Sequence, residues 1–156
     1  MVLFMKNRFW SKTAAVCTAV LLVFCLLLSG CAGRPEISAE TFTSVCENAG
    51  YTVTDVSEAF DPAFITTVLT VSGETHAFGY YTFANETEAM SNYAQFLSTV
   101  KTGAPGEKFI DSPEYNRFYY ANSRSATVVY RNGLTMIFLS GSEVDKIEDL
   151  IDTLGI

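Results

Sequence analysis

Few side chains in this chain could carry covalent chemistry. The single histidine, His76, lies between Thr75 and Ala77 in a stretch that reads as a strand. One histidine excludes a histidine cluster for zinc and leaves one imidazole as a candidate base. A small hydrolase would need His76 to meet carboxylates distant in sequence, because no Gly-x-Ser-x-Gly, Ser-x-x-Lys or His-Glu-x-x-His motif accompanies it. The bland alternative is a histidine on a sheet surface, and no catalytic residue or metal ligand is assigned. Cys46 shares a helical spacing with Phe42, Val45 and Ala49, which predicts a buried, unreactive thiol. Asp145, Glu148, Asp149 and Asp152 fall at i, i+3, i+4 and i+7. Four carboxylates in a row suggest a cation site, but calcium sites draw oxygen ligands from a folded loop as well, so a solvated helix face is the reading taken.

Aromatic residues are the remaining feature. Seventeen Phe and Tyr follow residue 30, with neighbours at Tyr80-Tyr81 and within Phe118-Tyr119-Tyr120. Adjacent residues in a strand face opposite sides, so one of each pair points away from a face covered by helices. Tyr80, Tyr81, Tyr119, Tyr120 and Phe109 are therefore candidates for a surface that stacks on a glycan ring or takes a partner peptide. Packing under loops or against another strand is the competing reading.

The N-terminus carries the most specific pattern. Lys6, Arg8 and Lys12 precede an apolar run, Ala14–Leu28, which is followed by Ser29, Gly30 and Ala32. That is the order of a secretory signal peptide. A retained transmembrane helix fits less well, since the run is shorter than the ~20 residues that span a bilayer. Leu28-Ser29-Gly30-Cys31 resembles the lipobox of bacterial lipoproteins at all four positions. The resemblance implies cleavage between Gly30 and Cys31, a covalent diacylglyceryl thioether on the Cys31 thiol, and acylation of the new amino terminus. Two acyl chains, at about 0.8 kcal/mol per buried methylene, give stable anchoring. The resemblance thus places the mature chain on the extracytoplasmic face of a cell membrane, with the lipid as its only cofactor-like group. It leaves Cys46 as the sole free cysteine, so no disulfide forms within the mature chain.

A length of 156 residues allows one domain and excludes a two-lobed solute receptor. Net charge is -7 overall. Beyond residue 30, seven Lys and Arg face seventeen Asp and Glu, a net charge of -10. Such a domain repels phosphate backbones, so no nucleic-acid partner is expected. The expected partners are the membrane, through the lipid, and an envelope protein or glycan. The organisation read from the chain is a signal peptide at 1–30, a lipidated tether at 31–36 and one domain at 37–156.

Within that domain the periodicities predict a helix over Ala39–Ala49 capped by Ser38, with Gly50 at its end. Strands follow at Tyr51–Val56, Phe64–Val71 and Thr75–Phe83, then a helix over Glu86–Lys101 capped by Asn85. Thr102–Glu114, with Gly103, Pro105, Gly106 and Pro113, reads as a loop in which Phe109 is pinned and the Gly103–Glu107 tip is free. Three more strands, Tyr115–Ala121, Ala126–Arg131 and Leu134–Leu139, precede a closing helix over Glu143–Leu154 capped by Ser142. Asn132-Gly133 is the hairpin turn between the last two strands. The order α-βββ-α-βββ-α, with a weak suggestion of internal duplication, predicts an α+β fold with an antiparallel sheet and helices on one face.

The lipobox reading predicts that Cys31→Ser abolishes incorporation of a fatty-acid analogue in metabolic labelling. Equal labelling of both chains would return the apolar run to the transmembrane alternative.

Overall fold

The computed structural model describes Arg34 and residues 36–156, and the folded unit is Glu36–Ile156. Gly30 and Cys31 lie outside the described residues. Ser38 opens helix α1 (Ala39–Asn48), its hydroxyl accepting from the Thr41 N–H at 3.2 Å. Gly50 follows at φ 87°, a left-handed conformation that a Cβ disfavours. Asn85 caps α2 (Glu86–Val100) in the same manner, accepting from the Glu88 N–H at 3.0 Å. The third helix, α3 (Val144–Leu154), starts without the side-chain cap expected of Ser142, because Glu143 holds the cap position and bonds no backbone N–H. Gly155, at φ 73°, ends it. None of the described helices is long and apolar enough to cross a membrane.

The strands are β1 (Thr54–Asp55), β2 (Ile65–Ser72), β3 (His76–Phe83), β4 (Lys108–Asp111), β5 (Tyr115–Ala121), β6 (Ala126–Asn132) and β7 (Thr135–Gly141). They form one antiparallel sheet in the order β1-β2-β3-β7-β6-β5-β4. The α+β class and the antiparallel sheet are those expected from the chain's periodicities.

Two details of the strands differ from expectation. A strand, β4, lies inside the segment read as a loop. Four residues among Gly and Pro carry no periodicity of their own, and only pairing with β5 makes them a strand. The β6–β7 turn also sits one residue later than Asn132-Gly133, since Asn132 pairs with Thr135 and leaves Gly133 and Leu134 as the connection.

The helices occupy both faces of the sheet instead of sharing one. On the first face, α1 and α3 bury Phe42, Cys46, Ile147, Leu150, Ile151 and Leu154 against Leu69, Phe78, Tyr80, Val128, Tyr130, Ile137 and Leu139. On the second, α2 sets Ala89 and Tyr93, with Phe96, Leu97 and Val100, against Phe83, Phe118, Val129, Met136 and Phe138. Alternate residues of β6 and β7 therefore belong to different cores, and both alternations are apolar for that reason. The two meanders meet at the β3–β7 pair. A two-fold axis normal to the sheet would keep α2 and α3 on one face, whereas they lie on opposite faces, which departs from the symmetry of a repeat.

Among the described residues, one charged side chain is fully buried. Arg131 is 0 % exposed. Its Nε donates to Asn116 Oδ1 at 2.6 Å, one terminal nitrogen to the Gly133 carbonyl at 3.0 Å and the other to the Pro113 carbonyl at 2.7 Å. Charge-assisted bonds of this kind are among the stronger ones, and they offset the cost of removing a guanidinium from water. Asn116 in turn donates to Asp111. The turn after β4, the turn after β6 and β4 itself are thus tied to one residue.

Arg131→Ala leaves an amide oxygen and two carbonyls without their donor and opens a cavity, so we expect a loss of at least about 3 kcal/mol in chemical denaturation. A loss below about 1 kcal/mol would show that the sheet end is held by other contacts.

Candidate functional site

Exposed apolar side chains are unevenly spread over the domain. Five large ones stand out, Phe60, Phe64, Met90, Phe109 and Ile110. Three of these border one groove, Met90 and Phe109 with their side chains toward it and Ile110 with its side chain on the opposite face of the same strand. Met90, Tyr93, Ala94 and Leu97 of α2, with Lys101 just past its end, form one wall; Phe109, Ile110 and Asp111 of β4, with Asn116 of β5, form the other. The space is about 400 Å³. The amphipathic spacing of α2 explains the first wall, because Met90 and Ala94 sit beside the buried stripe of Ala89 and Tyr93 and overhang the sheet edge. Pairing with β5 sets the second wall, since Phe109 faces Phe118 and Asp111 faces Asn116 on the α2 side.

Phe109 is 45 % exposed, with its ring 5.3 Å from that of Phe118 and the Lys101 ammonium 4.9 Å above its centroid. It is neither a free loop residue nor a core one. The preceding tip is not free either, because Glu107 Oε1 accepts from the N–H groups of Thr102, Gly103 and Ala104 at 2.8, 2.9 and 3.3 Å. Burial pushes the Glu107 carboxyl up, but these bonds outweigh it and its pKa falls below the ordinary value. At the polar end of the groove, burial and then the Asp111 carboxylate push the Tyr93 hydroxyl up to about 12, against the opposing field of Arg131. Near neutral pH, Tyr93 is a hydroxyl and no phenolate base. The groove can bind apolar groups between a cation at one end and a carboxylate at the other.

Tyr80 is 3 % exposed and its hydroxyl donates to the Ile37 carbonyl at 3.1 Å, so it belongs to the core and not to a binding surface. Tyr81 points to the opposite face, as alternation requires, but lies under α2 against Phe96, with ring centroids 5.6 Å apart. Tyr119 is half-buried on the α3 side, donating to Glu148 at 2.6 Å; burial and that carboxylate push it up to about 12. Tyr120 is half-buried on the α2 side and accepts from Asn122. The doublets do split between faces, yet both faces carry helices, and no outward aromatic sheet surface results. Of the five candidates, the structure brings only Phe109 to the groove.

The groups considered for chemistry stand apart from one another. His76 packs against Tyr51 and Phe78, with ring centroids at 4.8 and 5.2 Å in a three-ring cluster, and meets Thr75 Oγ1 at 3.4 Å. Among the described residues no carboxylate forms an ion pair with it, and no three His, Cys, Asp or Glu converge to hold a metal ion. Cys46 is fully buried, and burial pushes its thiol up to about 12. The groove residues Met90, Lys101, Asp111 and Asn116 were not legible as a site, since their convergence depends on β4. Arg131 did leave a trace, as a charge on an otherwise apolar strand.

No family model matches the chain, and no curated protein does. Among solved structures, a GTP-binding regulator from Thermotoga maritima is similar over 75% of this chain and 84% of its own, at 16% identity and a TM-score of 0.47.

The exposure difference predicts that Phe109→Ala costs about 1 kcal/mol or less, whereas Phe118→Ala, at 1% exposure, costs about 3–5 kcal/mol. Equal losses in urea titrations would make Phe109 a core residue.

Proposed function

We propose that this protein is a lipid-anchored lipoprotein of the extracytoplasmic membrane face whose domain is a docking module, taking an extended polypeptide in the α2–β4 groove. The observation that carries the docking reading is the pairing of the exposed Met90 and Phe109 side chains across a single hollow beside a sheet edge. Clustered exposed apolar residues with polar ends are the mark of an interaction site, and scattered ones are not. The hollows between α1 and α3 and between α1 and β2 lack any such residue among their walls. Support for the anchor is Leu28-Ser29-Gly30-Cys31 at the end of an apolar run. Two acyl chains would hold the acidic domain at the bilayer without help from its own charge. The enzymatic alternative built on His76 has no supporting geometry, because the ring is occupied by Tyr51 and Phe78.

A photo-crosslinking amino acid placed at Met90 of the full chain in membranes tests the reading. We expect a defined adduct from position 90, lost when Ala94→Arg fills the groove, and none from the same probe at the exposed Glu74 on the far side of the sheet order. Adducts from both positions, or adducts insensitive to Ala94→Arg, would refute a docking role for the groove.

A further inference from the structure

The sheet ends on β4, and the phase of its pairing decides which backbone groups face outward. Ser112 N–H donates to the Tyr115 carbonyl at 3.0 Å, which makes Ser112 and Tyr115 a hydrogen-bonded pair. Such pairs alternate along an antiparallel ladder. Ile110 and Lys108 therefore bond to β5, while Phe109 and Asp111 turn their N–H and C=O groups away from the sheet. These are the same two residues whose side chains face the groove. An added strand would pair with Phe109 and Asp111 and cover the hollow in one event.

The geometry points to a second copy of this chain as that strand. This rests on the groove being a docking site and names its occupant. In the antiparallel register that sets Phe109 opposite the partner's Asp111, each of these pairs exchanges both of its N–H···O bonds, and Ile110 meets the partner's Ile110 on a two-fold axis normal to the sheet. Charge selects this register. Lys101 lies over Phe109, so the partner's Asp111 comes beside the Lys101 ammonium, and the symmetry repeats that contact on the other side. Pairing that set Asp111 against the partner's Asp111 would oppose two carboxylates. Ile110, 43 % exposed on the other face, gains an apolar neighbour.

If each copy carries the proposed lipid, confinement to one membrane surface raises the effective concentration of each copy for the other.

Ile110→Cys tests the proposal in the full chain in membranes. The pair on the axis is one that exchanges no backbone bonds, and such pairs have Cα atoms about 4.5 Å apart, within disulfide reach. Mild oxidation should give a dimer whose linked peptide joins position 110 of one copy to position 110 of the other. Its yield should be about tenfold that from Lys108→Cys, since Lys108 lies away from the axis. Lys101→Glu, which leaves the Asn116–Asp111 bond in place, should lower the yield by about tenfold, and Lys101→Arg should retain it. Absence of the linkage between the two introduced thiols, or equal yield from position 108, overturns the second-copy occupant. If that result came while the Met90 adduct still depended on Ala94, the groove would remain a docking site for a foreign strand. Loss of both results would remove the groove reading as well.

Discussion

The buried guanidinium of Arg131 is the contact on which the edge of this molecule depends. Placing a permanent charge at 0 % exposure is costly unless its donors are met, and here they are met by the carbonyls of Pro113 and Gly133 and by Asn116. Two turns and a neighbouring strand converge on it, so the register of β4 on β5 is coupled to the turn that joins β6 to β7. The four-residue β4 has little intrinsic strength. Its position follows from the Asn116–Asp111 bond and the fixed turn after it.

The second constraint is that the central strands are apolar on both alternations. A sheet of this kind must be covered twice, and three helices divide two to one between its faces. The larger layer, α1 with α3, seals Cys46 and Tyr80. The single α2 is long enough for the centre of the other face and leaves its margin beside β4 open. The groove is thus a consequence of helix count against sheet width, with Met90 and Phe109 as the apolar side chains left at the margin.

Charge and anchoring act on different parts of the chain. The residues beyond 30 carry a net charge of -10, which disfavours contact with anionic headgroups, so the proposed lipid at Cys31 would supply what the surface lacks. The same acidity makes any close approach of two domains dependent on local pairing of opposite charges. Lys101 and Asp111, at opposite ends of one groove, meet that requirement.

The linear pattern by itself determined the α+β class, the spans of α1 and α2, the caps Ser38 and Asn85, and the buried thiol of Cys46, because each rests on periodicity or on a cap within a few residues. The resemblance of Leu28-Ser29-Gly30-Cys31 to a lipobox is likewise local, and it stands on the sequence alone. The linear pattern did not determine which face each helix would take, since both alternations were apolar and a stripe on a helix does not say which side of a sheet it will meet. Tyr80 and Tyr119 were misplaced as surface candidates for that reason: splitting a doublet exposes one member only if one face is bare. β4, the groove and the role of Arg131 were decided by tertiary structure alone. A four-residue strand has no periodicity to read, and a buried charge is intelligible only when the carbonyls that accept its bonds, from turns far apart in sequence, are in place.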